Sequence, residues 1–119
     1  MPYIKSNDDR REKLRNGESA LNAGELNYQC FYYIKHDYKK LNILHLKDEI
    51  EVFTEQFLGY KPNYQRYNDM TGALIRCYKE IKRRLRIDVK DLFTEIMESY
   101  DDEIAKYEDT KIIENGDVE

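Results

Sequence analysis

The stretch YKEIKRRLR, residues 78 to 86, sets Lys79, Lys82, Arg83, Arg84 and Arg86 within nine positions. Arginine grips phosphate or carboxylate with two parallel N–H donors on a planar fork, and a flanking tyrosine can stack on a base. Glu80 stands three and four residues before Arg83 and Arg84, so on a helix it can hold one guanidinium in place. The bland account of the same residues is a solvated basic face. GELNY, Gly24 to Tyr28, is the second constellation. Gly24 permits close backbone approach at a helix N-terminus, where an anion is favoured, while Asn27 and Tyr28 offer hydrogen bonds and a stacking face. Glu25 is itself favoured there by the helix dipole, which is the structural account of the motif. With Tyr64 and Asn68, the expected ligand-binding set is Arg83, Arg84, Tyr28, Asn27, Tyr64 and Asn68.

Catalysis finds little support. His36 and His45 are nine apart with no HxxxH or HExxH spacing, and no nucleophile elbow or phosphate loop occurs. Asp8-Asp9 and Asp101-Asp102-Glu103 lack the spacing of a calcium loop and read as helix caps and faces. No metal site, cofactor or enzyme activity is expected. Cys30 and Cys77 are isolated, fall on apolar helix positions, and read as reduced thiols acting as small hydrophobes.

The 119 residues suit one domain, with 37% charged and 40% hydrophobic side chains, as in a globular chain of helices with ion-rich outer faces. Eleven tyrosines and no tryptophan suggest amphipathic contact surfaces as well as core edges. Residues 1 to 86 carry net +5 and residues 87 to 119 net −9. That asymmetry argues against coating of nucleic acid and for charge matching within or between chains. The start lacks an apolar run and no stretch reaches membrane-span length, so a cytoplasmic protein without a membrane partner is expected.

Apolar spacing predicts an all-α fold, a small bundle of about four main helices with an ordered C-terminal tail. Residues 1–20 form an N-terminal arm, 21–106 a helical core and 107–119 a docking tail. The arm holds a charged turn from Asn7 or Asp8 to Arg15, stopped at Asn16-Gly17. The first long helix carries Leu26, Cys30, Tyr33, Ile34, Tyr38 and Leu41. The next carries Leu46, Ile50, Phe53 and Phe57 up to Gly59. The longest opens on Asn63 and runs to Arg86 through Tyr67, Met70, Leu74, Cys77, Ile81 and Leu85. Gly72 inside it costs about 1 kcal/mol against alanine, which implies close approach of a helix or a ligand. Asp88 is expected to cap a last helix of about six turns if unbroken. In the tail, Tyr107, Ile112, Ile113 and Val118 are the expected interface anchors. Asn115-Gly116 is the turn that folds the end back, bringing Glu108, Asp109, Glu114 and Asp117 toward Lys79 to Arg86 on its own or a neighbouring protomer.

The order of Pro2-Tyr3-Ile4, an arginine at Arg10 or Arg11, GELNY, Tyr64, Asn68, GAL at Gly72 to Leu74, Glu80 with Arg83-Arg84, YED at Tyr107 and ENGDV from Glu114 resembles a family of short bacteriophage and prophage proteins. The family pattern joins the double arginine almost directly to the tyrosine block, whereas here LRIDVKDLFTEIMESYDDEIAK intervenes. A second enlargement lies between Tyr28 and Tyr64. The resemblance implies a viral or mobile-element origin, hence a host-cell cytoplasm, and carries no activity with it. Together these features point to a non-enzymatic, homo-oligomeric sponge that sequesters a phosphate-bearing nucleotide or cyclic nucleotide signal of bacterial antiviral defence. The alternative is a phage structural or regulatory factor that docks on a protein partner through its acidic, apolar tail.

Overall fold

The computed structural model describes residues 9–40 and 43–116. Six helices follow one another, with no strand among the described residues: α1 Asp9–Arg15, α2 Ala23–Asp37, α3 Ile43–Leu58, α4 Tyr64–Leu85, α5 Lys90–Glu98 and α6 Asp101–Asn115. The all-α expectation therefore holds, and the count of about four main helices is too low.

The punctuation residues act where their chemistry predicts. The Asn22 and Asn63 side chains each accept a backbone N–H three residues on, from Glu25 and Arg66, at 2.9 Å. Gly17 and Gly59 take φ of +95° and +73°, a left-handed turn in which a Cβ would be strained, just past the ends of α1 and α3.

The longest helix is central, as its stripe predicts: α4 packs against α2, α3, α5 and α6. It buries Tyr67, Met70, Ala73, Leu74, Cys77 and Ile81 at three- and four-residue spacing. Cys30 and Cys77 are free and buried, and desolvation pushes both thiols up, so they pack as small apolar groups.

α2 and α4 lie side by side and run in the same direction. Arg66 Nη1 donates to Leu21 O near both N-termini, Cys77 Sγ contacts Asn27 O at 3.6 Å in the middle, and the Arg84 guanidinium covers Phe31 at 4.8 Å toward the C-terminal ends. Parallel dipoles place two positive poles at one end and two negative poles at the other. Lys82, Arg83 and Arg84, in the last turn of α4, offset the negative end.

The single six-turn helix expected after Asp88 is broken at Ser99-Tyr100. Ser99 Oγ donates back to Ile96 O and Tyr100 N–H to Met97 O, closing a tight turn in place of the next helical bonds. The Tyr100 hydroxyl then bonds Thr54 Oγ1 at 3.0 Å, which anchors the break to α3. Val89, not Asp88, is the N-cap residue of α5, although Asp88 Oδ1 accepts the Lys90 N–H. LRIDVKDLFTEIMESYDDEIAK thus spans the link after α4, all of α5 and the first six residues of α6.

The tail departs from expectation as well. α6 continues through Ile112 and Ile113 to Asn115, with Gly116 as its C-cap and no buried residue. Tyr107 is the one expected anchor that packs, its hydroxyl donating to Pro62 O at 2.7 Å and its ring against Tyr67. Ile112 and Ile113 are 45% and 84% exposed. Val118 and Asp117 lie outside the described residues. Glu108, Asp109 and Glu114 form no ion pair with residues 79 to 86 of their own chain. Lys82 pairs with Asp88, Arg84 with Glu80 and Glu114 with Lys111. The reason is direction: α6 runs past Tyr67 to Pro62, toward the N-terminal end of α4, while the basic cluster occupies the other end.

No helix among the described residues is long and apolar enough to cross a membrane.

Candidate binding groove

The start of α2 is fixed by an ion-pair clasp. Arg10 Nε and Nη2 reach the two carboxylate oxygens of Glu25 at 3.0 and 2.7 Å, and Leu21 N–H donates to the same carboxylate at 3.0 Å. The Arg10 hydrogen bonds hold the Glu25 carboxyl below its usual range, against the opposing effect of burial. Gln29 Nε2 adds two bonds, to Leu14 O and Glu18 O, tying α1 and its following loop to α2. Glu25 is therefore a structural element of GELNY, as is the fully buried Leu26.

Beside the clasp, the first turns of α2 and the second to fourth turns of α4 border an open groove of about 460 Å³. Ala23, Gly24 and Asn27 line it from α2; Asn68, Asp69, Gly72 and Arg76 line it from α4, with Ala73 and Ile75 as apolar wall. Volumes of this order hold small-molecule ligands. Gly72 explains why space exists. A Cβ built there meets nothing within 4 Å, so the glycine is not forced by a neighbouring helix; its missing side chain is part of the groove. That removes the close-helix account of Gly72.

Asn27 is the unusual member. It is 2% exposed, and its Nδ2 is buried with no hydrogen-bond partner. A buried amide donor left unmatched costs about 1–3 kcal/mol, so such a group beside a groove marks a place where a ligand acceptor would be rewarded. The wall around it is mainly apolar, and the donors it offers are the first-turn N–H groups of α2 at Ala23 and Gly24, the Asn68 amide nitrogen and the Arg76 guanidinium. Asp69, which accepts Gln65 Nε2 at 2.8 Å, is the acceptor of the set.

Of the six expected ligand residues, Asn27 and Asn68 meet in the groove. Tyr64, the first residue of α4, lies one turn before Asn68 but does not line it. Tyr28 is turned away, beneath the Arg11 guanidinium at 5.3 Å and against Tyr32. Arg84 is occupied by Phe31 and Glu80, and Arg83 lies two turns beyond Arg76, about 10 Å along the axis. Asp69 and Arg76 escaped the sequence reading. The signal for Arg76 was present, since Asn68, Gly72 and Arg76 repeat every four residues, but the denser basic run further on masked it.

Among the described residues no group of three His, Cys, Asp or Glu side chains could hold a metal ion. A family profile described as a domain of unknown function, DUF6899, matches residues 1–118. The chain belongs to that family. The match runs across the clasp, the groove and α6 together. No curated protein and no solved structure is significantly similar to the chain.

Proposed function

We propose that this protein is a non-enzymatic binding protein, an oligomeric sponge that captures a phosphate-bearing nucleotide signal in the groove between α2 and α4. The observation that carries the reading is the unpartnered Asn27 Nδ2 in a mainly apolar groove that also presents the Arg76 guanidinium and the Asn68 amide. Donors at a helix N-terminus suit phosphate oxygens, Arg76 adds a charge-assisted partner, and Asp69 suits a ribose hydroxyl or a base amine. Capture in this reading is stoichiometric, without turnover. The phage-type sequence pattern supports a viral origin and a role against host nucleotide signalling. The second reading, a protein-interaction factor, is favoured by the exposed isoleucines of α6.

Gly72 supplies the test. Gly72→Ala should raise the melting temperature by about 4–6 °C, because alanine is about 0.8–1.0 kcal/mol better in a helix interior and nothing obstructs its methyl group. Gly72→Leu keeps that propensity gain but fills the groove. In a thermal-shift screen with cyclic dinucleotides, ADP-ribose derivatives and mononucleotides, the ligand that stabilises the wild type should lose its effect on Gly72→Leu, itself no less stable than wild type. A ligand that stabilises both equally binds elsewhere, and a screen in which none stabilises the wild type removes the nucleotide reading.

A further inference from the structure

The second half of α6 has an outward face with nothing on it. Ile104 and Tyr107 rest on the core. At about 100° per residue, Ile112, Asp109 and Ile113 share an arc of about 100° turned away from that contact, and Glu108 stands at its edge. Ile113 is 84% exposed, and neither Glu108 nor Asp109 has an ion pair among the described residues. Two exposed turns of helix are marginal in water unless their apolar side chains are covered.

The complementary surface lies on the same chain, out of its own reach. Lys79 and Arg83 fall one turn apart on the exposed side of α4, and neither has an ion pair among the described residues, whereas Lys82 and Arg84 do. Their aliphatic stems can cover apolar side chains while the heads take carboxylates. From Asn63 to this pair is about 24–30 Å along α4, and α6 runs the opposite way. An arm of the same chain cannot double back to it, but the arm of a second copy set antiparallel can, and a two-fold axis makes the exchange reciprocal. Antiparallel copies also set the aligned dipoles of α2 and α4 against those of the partner.

We infer that the chain forms a two-fold dimer in which the Glu108, Asp109, Ile112, Ile113 face of α6 docks on Lys79 and Arg83 of a second copy. Neither Lys79 nor Arg83 lines the groove, so the dimer stands or falls apart from the ligand reading.

Charge reversal followed by sedimentation of the full chain tests it. Wild type should sediment at twice the 14.4 kDa of the chain. Glu108→Lys with Asp109→Lys, or Lys79→Glu with Arg83→Glu, should each weaken association on the order of 100-fold, with helicity by circular dichroism retained. Mixing the two variants should restore the dimer, because every arm then meets a ridge of opposite sign. Ile112→Asp with Ile113→Asp should give a monomer that neither mixture rescues. A monomeric wild type at hundreds of micromolar, or a dimer indifferent to both reversals, overturns the proposal, and a monomer whose α6 is covered by an unrelated protein does so as well.

Discussion

Replacing Phe57 with alanine should lower the melting temperature by about 15–25 °C. Phe57 is fully buried in the last turn of α3, roofed by the Arg66 guanidinium 4.5 Å from its ring. Removing a buried phenyl ring costs about 3–5 kcal/mol, from lost transfer energy and from the cavity left behind. A domain of this size has about 5–15 kcal/mol in total, so the variant sits near the threshold of folding. The effect should also be local in kind: Arg66 holds Leu21 O through Nη1, and its aromatic support would be gone at the end of the bundle where α2 and α4 both begin. Leu44→Ala on α3 is the control, since Leu44 is 68% exposed and should change stability by no more than about 0.5 kcal/mol. Thermal melts followed at the helical circular-dichroism band decide it. A drop below about 5 °C for Phe57→Ala would mean that the site collapses freely around the missing ring.

Glu25→Gln should be the most damaging change among the polar residues, and its effect should depend on pH. The carboxylate takes two bonds from Arg10 and one from Leu21 N–H; a glutamine of the same shape turns one acceptor into a donor aimed at the guanidinium. Hydrogen bonds to charged groups contribute about 1.5–3 kcal/mol, so a loss of about 2 kcal/mol, or 8–12 °C, is expected at neutral pH. The sign of the pH effect follows from the lowered folded-state value of the Glu25 carboxyl. Its contribution is complete above the unfolded value near 4.5 and is lost as pH falls through the lower folded value. The gap between wild type and Glu25→Gln should therefore be constant from pH 7 to 5 and close as the solution is acidified below 4.5. A gap that persists unchanged at pH 3 would falsify the ion-pair account and leave shape alone as the role of Glu25.

What was legible in the sequence was whatever depends on near neighbours. The helix class, Asn63 as a helix start, the glycine stops and the buried stripe of α4 follow from spacing of three and four residues and from local hydrogen bonding, both written in consecutive letters. The break at Ser99-Tyr100 was not legible, because a helix continuing through that point is locally acceptable; the bond from the Tyr100 hydroxyl to Thr54, far away in sequence, anchors the chain where it turns. Which face of the tail stays open was not legible for the same reason. Ile112 and Ile113 announce an apolar surface, but only the direction of α6, fixed by Tyr107 on Pro62, decides that they point away from the body of their own chain. The groove shows the division most plainly. Gly24, Asn27, Asn68 and Gly72 could be singled out one motif at a time, yet their meeting depends on α2 and α4 running parallel, and Arg76 joins them only by register. A run of five cations outweighs a single arginine in the sequence, whereas in the folded chain two of those five are taken up by partners and the last turn of α4 uses its charge against two helix dipoles. Local chemistry set the helices, and long-range packing chose which of their faces remain open.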